Sequence, residues 1–501
     1  MAAHRSVPSR RDLFRLIATG GVLGAVAGDR VTASSGPRPR NIVFMVADGM
    51  SAGIPSLAEP FSNLVRGRGT RWAALARDAR TARGWCDTAS LGSLVTDSSA
   101  ASTAWATGSR VFNGAVNVLP NGTRLTPIGI LARQAGLRVG LVTTTTITHA
   151  TPAGFVAIQA RRDQEDAIAA QYLNTVDVLL GGGRQFFDGA RRADRRDLLS
   201  EFRAAGYVIC DSRRALSVST RPNRLLGLFA DGHLPYVIDA QQAPSTEAPV
   251  PSLQDMAVRA LDVLHGARRG FLLQVEGGRV DHAAHANDAA GALWEMLAFD
   301  DALGAVLEYA KKTGDTLVVV TSDHGNSNPG LNGIGEEYAG STKGLESLAR
   351  HKASSGSILL RLRQERDSGG RVSASRASDI VRDLCGLSLS AQDAATVAAI
   401  AGESLPTEIN KQHANALGIL AEVLGNYTGI GWTGTSHTSD VTMVLAVGPG
   451  QEAFAGLRRN TETFTALTSL LGIAFVNPAM SIEEAQRHRA ARLDDVIPHW
   501  L

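Results

Sequence analysis

The chain is poor in cysteine and in net charge, and it has no long apolar run beyond its N-terminus. Its three cysteines among 501 residues, Cys86, Cys210 and Cys385, lie far apart with no Cys-x-x-Cys spacing. That argues against a thiolate metal cluster, and the odd count leaves at least one thiol outside any internal disulfide. The 50 basic and 48 acidic residues give a formal net charge of +2. With no basic block and no aromatic-interleaved stripe, the balance argues against a nucleic-acid-binding role. No later segment approaches the ~20 continuous apolar residues of a membrane-spanning helix, so no span is expected in the mature chain. What remains is ordinary for a globular protein: 44% hydrophobic and 20% charged residues.

The N-terminus carries an address. Ser9-Arg10-Arg11-Asp12-Leu13-Phe14 is a twin-arginine pattern, and the glycine-containing apolar run from Leu16 to Ala27 follows it. Ala25-Val26-Ala27 and Val31-Thr32-Ala33 are rival small-x-small cleavage sites. The run is too short to cross a bilayer comfortably, so a cleaved signal peptide over 1–33 and a periplasmic or secreted mature chain are expected.

Beyond residue 38, apolar runs alternate with helical patterns. Asn41–Ala47, Leu137–Thr143, Val176–Leu180, Phe271–Val275, Thr316–Thr321 and Val441–Val447 read as buried strands, most of them ending in glycine-rich turns. Residues 253–265 and 288–312 carry helical periodicity, the second ending in Lys311-Lys312 before Gly314. The fold class is therefore α/β: a doubly wound, largely parallel central sheet with helices on both faces. Ligands of such sheets bind at the carboxyl ends of strands, where Asp48, Glu276, Asp323 and His324 all fall. One aspartate after a strand is a routine turn residue, but several strand ends that all carry metal-competent side chains indicate a site. Asp281 and His285 add an i, i+4 pair that reaches one metal if their segment is helical, and His437 offers a further imidazole. Histidine and carboxylate without thiolate suit zinc, and a carboxylate-rich corner suits magnesium. His233, His265, His351 and His499 are read as structural.

Val95-Thr96-Asp97-Ser98 opens an alanine-rich helical run ending near Gly108. Asp97 is suited to cap that helix, and Ser98 then sits where free N–H groups and the positive dipole end favour an oxyanion. Ser98 is the candidate nucleophile.

These motifs together resemble the metal-dependent alkaline phosphatases. Residues 95–114 resemble that family's nucleophile region, Asp48-Gly49-Met50 its first metal loop, and Thr148–Ala153 its magnesium loop. Glu276–His285 and Asp323-His324 resemble its remaining ligand segments, and Leu228–Tyr236 a further one, in the family's order. The resemblance implies two zinc ions and one magnesium ion per subunit. Asp281, His285 and His437 would hold the first zinc, and Asp48, Asp323 and His324 the second. Asp48, Thr151 and Glu276 would hold magnesium. It also implies a phosphate-clamping arginine eleven residues after Thr151, which gives Arg162, with Arg161 as the competing choice. Other members carry Asp and Lys, or His, where this chain has His149 and His282. Both histidines are expected beside the ligands rather than among them, and their nitrogen would let the third site admit zinc or cobalt. A homodimer, small phosphomonoester substrates and one catalytic domain over 34–501 are also implied. The stretch about 341–430 is unlike compact members and reads as a mostly helical insertion, a lid, a dimer contact or a passive elaboration.

Two rival functions are weighed against a phosphomonoesterase that works through a phosphoserine. A phosphodiesterase of the same superfold would favour a threonine nucleophile and lack the third metal site. An exported phosphate- or metal-binding protein would not need the intact Ser98. A sulfatase is excluded because Ser98–Ser102 lacks the proline and arginine of its formylglycine motif.

Overall fold

The computed structural model describes residues 38–218, 220–242, 250–402 and 410–489. The twin-arginine segment and both cleavage sites lie outside the described residues.

Ten strands form one sheet: β1 (Asn41–Ala47), β2 (Ala82–Cys86), β3 (Arg138–Thr146), β4 (Val178–Gly182), β5 (Val208–Cys210), β6 (Leu225–Leu228), β7 (Phe271–Gly277), β8 (Thr316–Thr321), β9 (Thr442–Val447) and β10 (Gly456–Arg458). Their order across the sheet is β10-β2-β9-β8-β1-β7-β3-β4-β6-β5. All pairings are parallel except those of β9, which runs antiparallel to both β8 and β2. Every residue of β1 is buried. Its side chains alternate between two cores, as the period of a strand requires. Val43 and Met45 pack under helices α1 (Gly53–Arg66), α5 (Leu253–Leu264) and α7 (Ala289–Thr313). Ile42, Phe44 and Val46 pack under α2 (Ser98–Thr107), α3 (Ile128–Gln134), α4 (Ala150–Val156) and α13 (Glu462–Leu471). Between α5 and α7 lies the short α6 (Arg279–His285). The chain is thus the doubly wound α/β structure expected.

Residues 341–430 are mostly helical: α8 (Ser341–Leu348), α9 (Ser355–Gly369), α10 (Ala374–Cys385), α11 (Ala391–Ala401) and α12 (Ala416–Thr428). Ile358, Leu362, Ile380, Val397, Ile400 and Leu420 give this segment an apolar cluster of its own. It is fastened to the main body where Asp239 accepts from the Ser354 N–H and hydroxyl at 2.8 and 2.7 Å, and Asp288 from the Ser355 N–H at 2.7 Å. The three cysteines are buried and free, so no disulfide forms, and burial pushes each thiol up to about 12. Among the described residues no helix is long and apolar enough to cross a membrane.

Candidate metal and phosphate site

The strand ends bring the acidic residues together. Asp48 follows β1 directly. Glu276 lies in β7 opposite Val46 of β1 and Thr143 of β3, because β7 runs two residues beyond the apolar run visible in the sequence. Asp323 and His324 follow β8. Gly49 turns the chain at φ +67°, and a Cβ there would collide with Asp281, so only glycine fits. The Gly49 N–H donates to Asp323 Oδ1 at 3.0 Å, tying the β1 and β8 ends to each other.

The nucleophile helix is capped as its sequence predicts. Asp97 Oδ1 accepts from the Ala100 N–H at 2.9 Å, and its Oδ2 accepts from the Gly114 N–H at 2.9 Å and from Ser99 Oγ at 2.7 Å. Helix α2 packs closely on α4: Ser102 Oγ donates to the Thr151 carbonyl at 2.8 Å, and a Cβ on Gly154 would clash with Ser102. Thr151 is thereby fixed one turn along from Ser98, which is buried at the first position of α2.

Three ligand groups result, each with its donor atoms within 4.8 Å of one another: Asp281, His324 and His437; Asp48, Asp323 and His324; and Asp48, His149 and Glu276. His285 stands beside the first group. Its Nδ1 lies 2.8 Å from the Thr435 carbonyl, and His437 Nδ1 lies 2.8 Å from the Thr96 carbonyl. A carbonyl only accepts, so both rings carry a proton on Nδ1 and turn Nε2 inward. The two Nε2 atoms face each other at 3.0 Å, with Asp281 oxygens 3.4 and 3.6 Å from them. His324 Nε2 is 3.1 Å from Asp323 Oδ2, 3.6 Å from Asp48 Oδ1 and 3.3 Å from Ser98 Oγ. Both oxygens of Asp48, Glu276 Oε1, Thr151 Oγ1 and His149 Nδ1 are buried without a hydrogen-bond donor or acceptor.

Four buried carboxylates around so many orphaned donor atoms call for cations. Burial, followed by the charges of Asp323, Asp281 and Glu276, pushes Asp48 well above the usual carboxylate range. Burial raises Glu276 to about 7 although Thr143 donates to it at 2.5 Å. Burial, then His324, pulls His437 down to about 3, leaving a neutral imidazole. Imidazole nitrogens with carboxylates fit zinc in the first two groups. The oxygens of Asp48, Glu276 and Thr151 fit magnesium in the third.

Arg162 reaches the site and Arg161 does not. Arg162 Nη1 contacts Asp97 Oδ2 at 3.1 Å and its Nη2 donates to His149 Nε2 at 3.1 Å. Arg161 points outward to Asp163. Burial alone would raise Asp97, but Arg162 and the Ala100 N–H outweigh it and hold the carboxyl below its ordinary value. A buried serine at a helix start, an arginine beside it and three cation-demanding groups are the parts of a phosphoryl-transfer site.

The alkaline phosphatase family model matches residues 39–473. The chain belongs to that family. It is 34% identical over 389 residues to alkaline phosphatase 4 of Bacillus subtilis (strain 168), covering 75% of this chain and 77% of that one. It is 35% identical over 378 residues to streptomycin-6-phosphate phosphatase of Streptomyces griseus, covering 65% and 82%. The crystal structure of Thermus thermophilus alkaline phosphatase superposes with a TM-score of 0.84 at 38% identity, covering 91% and 96%. The chain is accordingly a metal-dependent phosphomonoesterase of the alkaline phosphatase family.

Three histidines of this alkaline phosphatase site stand differently from the sequence reading. His149, expected outside the ligand set, has a ring nitrogen grouped with Asp48 and Glu276; it occupies the N-cap position of α4 without a side-chain cap hydrogen bond. His324 belongs to two groups rather than one. His282 joins none of them. Its ring meets those of His149 and His233 edge-on, at 5.6 and 4.5 Å between centroids. His233, set aside from sequence as structural, thus stands in the site wall, where the Thr146 N–H donates to its Nδ1 at 2.9 Å. Its place in Leu228–Tyr236 was the one signal that could have found it.

Proposed function

We propose that the enzyme hydrolyses phosphate monoesters through a phosphoserine on Ser98, at a site of two zinc ions and one magnesium ion. Asp281, His285 and His437 would hold the first zinc, Asp48, Asp323 and His324 the second, and Asp48, Thr151 and Glu276 the magnesium. With Nε2 accepting from Arg162, His149 carries its proton on Nδ1, so a zinc or cobalt ion at the third site would require that proton to shift or the Arg162 contact to break. Bound ions supply Lewis acidity and lower the pKa of the oxygens they touch. Ser98 Oγ attacks phosphorus, the Ser–O–P bond forms as the ester P–O bond breaks, and the alcohol leaves with a proton. Water then cleaves the phosphoserine and regenerates the hydroxyl. Arg162 and the first N–H groups of α2 bind the phosphoryl oxygens throughout, and the bidentate guanidinium matches two of them.

The observation that carries this reading is Ser98 Oγ, buried at the start of α2, 3.3 Å from His324 Nε2. The test is turnover of p-nitrophenyl phosphate beside the bis-ester, with and without chelator. Fast, chelator-sensitive monoester hydrolysis supports the reading. Preferred diester hydrolysis would make the enzyme a phosphodiesterase, and no turnover of either would make it a binding protein. We also propose export by the twin-arginine route with cleavage by residue 33, and a homodimer in solution. Fusion of residues 1–40 to a reporter tests the first, and sedimentation tests the second. Residues 341–430 would be an insertion that serves as lid or dimer contact, and its deletion tests whether it is passive.

A further inference from the structure

One cation of the site wall has no part in the reaction described above. Arg279, the first residue of α6, holds its backbone N–H on Thr144 Oγ1 at 3.1 Å. Its guanidinium carbon lies 3.7 Å from the centroid of the Tyr236 ring, a cation–π contact. Nη1 is 2.7 Å from His282 Nδ1. A guanidinium can only donate, so Nδ1 accepts and that ring carries its proton on Nε2. Among the described residues no carboxylate comes within ion-pair distance of Arg279. Its Nε is buried without an acceptor, while Nη2, which has none either, opens to solvent. Other half-buried arginines are paired with carboxylates, as Arg110 is with Asp87 and Arg133 with Asp177. A preorganised guanidinium that lacks its acceptor is a site for an anion brought by a ligand.

Its place relative to the phosphate clamp sets which anion. From Arg162 the wall runs through His149, 3.1 Å from Nη2, then to His282, 5.6 Å away between ring centroids, and then to Arg279. Two imidazoles therefore separate the guanidiniums. Two anionic groups held apart by two imidazoles suit phosphates joined through a sugar. We propose that Arg279, in contact with the Tyr236 ring, is a specificity-determining residue that binds the second phosphate of a bisphosphorylated substrate while the first is hydrolysed at Ser98. The proposal rests on the monoesterase reading above.

The matched probes are fructose 1,6-bisphosphate and fructose 6-phosphate, with p-nitrophenyl phosphate as reference, on the metal-loaded enzyme. Arg279→Gln is expected to raise KM for the bisphosphate about tenfold and to leave KM for the other two within about twofold, with kcat unchanged. Tyr236→Leu, which removes the platform, should move the same ratio in the same direction. In the wild type the preference should weaken as salt rises. Calorimetric binding of the two sugars to the Ser98→Ala protein reads the subsite without turnover, so a failure of the phosphoserine reading leaves this test intact. Equal KM changes for all three substrates would reduce Arg279 to a positioning residue for His282 and overturn the proposal. So would an unchanged ratio in both variants, or a stronger effect with pyrophosphate than with the sugar bisphosphate.

Discussion

Removing the ions should turn the buried acids of the site against the fold, and Glu276 shows by how much. Its carboxyl is fully buried in β7, and burial raises its pKa from 4.5 to about 7. Between those values the metal-stripped native state binds a proton that the unfolded chain has already lost. Stability then falls as pH rises from about 4.5 and levels off beyond about 7. A shift of that size corresponds to about 3 kcal/mol at 1.36 kcal/mol per unit. Asp48, raised by burial and then by Asp323, adds in the same direction. Glu295 and Asp288, raised by burial to about 7 and about 6, do so too, so the total slope cannot be assigned to one residue. The difference between wild type and Glu276→Gln can. Urea unfolding of chelator-treated protein at pH 5 and pH 8 should show the wild type losing about 2.5 kcal/mol more than the variant, since pH 5 already lies above the unfolded value. In the zinc- and magnesium-loaded enzyme the sign should reverse, because ions compete with protons for the same oxygens. Parallel pH dependences of the two stripped proteins would refute this account of the site.

The other predictions concern the reacting groups. Ser98→Ala should abolish the acid-trapped phosphoenzyme and leave metal content by elemental analysis unchanged; label on any other residue would displace Ser98. Arg162→Ala should weaken inhibition by inorganic phosphate by about 2–3 kcal/mol, whereas Arg161→Ala, whose side chain pairs with Asp163 at the surface, should change it by less than about twofold. An equal loss from Arg161→Ala would reassign the clamp. His149→Asp should make the third site hold magnesium more tightly, seen as magnesium retained through dialysis and slower product release; loss of the third ion without gained magnesium dependence would make His149 an essential ligand.

The central strands were legible because their chemistry is blunt. Asn41–Ala47 and Thr316–Thr321 are continuous apolar runs closed by Asp-Gly and Asp-His-Gly, and β1 and β8 have those bounds. The outer strands were not. β2 is Ala-Arg-Gly-Trp-Cys with exposed Arg83 and Trp85, and β5 and β10 have three residues each, too few for any periodicity to register. The run 441–447 announced a strand but could not announce that β9 is antiparallel, since direction depends on where the preceding helices return the chain. In the site, the acids at strand ends were readable because the α/β architecture dictates where strand ends meet. The reach of His149 and the ring contact of Arg279 depend on side-chain orientation against residues distant in sequence, and no spacing rule encodes that.

The same distant contacts explain why the groups of the site are mutually dependent. The Thr96 carbonyl that orients His437 lies two residues before Ser98, and the Thr435 carbonyl that orients His285 lies two residues before His437. Each imidazole is therefore aimed by the segment that carries another member of the site. His437 itself stands in a two-residue strand paired to Asn326, whose side chain donates to Asp281 Oδ1 at 2.7 Å. The nucleophile helix, α6 and the His437 strand thus close as one unit, and displacing any one turns an imidazole away from the others. The helical segment enters this circuit as well, since Thr435 Oγ1 donates to the Gln412 carbonyl at 3.2 Å and accepts from Asn415, the cap of α12, at 3.4 Å. Asp288, three residues after His285, accepts from Ser355 at the other end of that segment. Its two attachments therefore both bear on the segment around His285, one through Thr435 and one through Asp288. Deleting residues 341–430 would remove both contacts at once, and the orientation of His285 is the first thing that deletion should disturb.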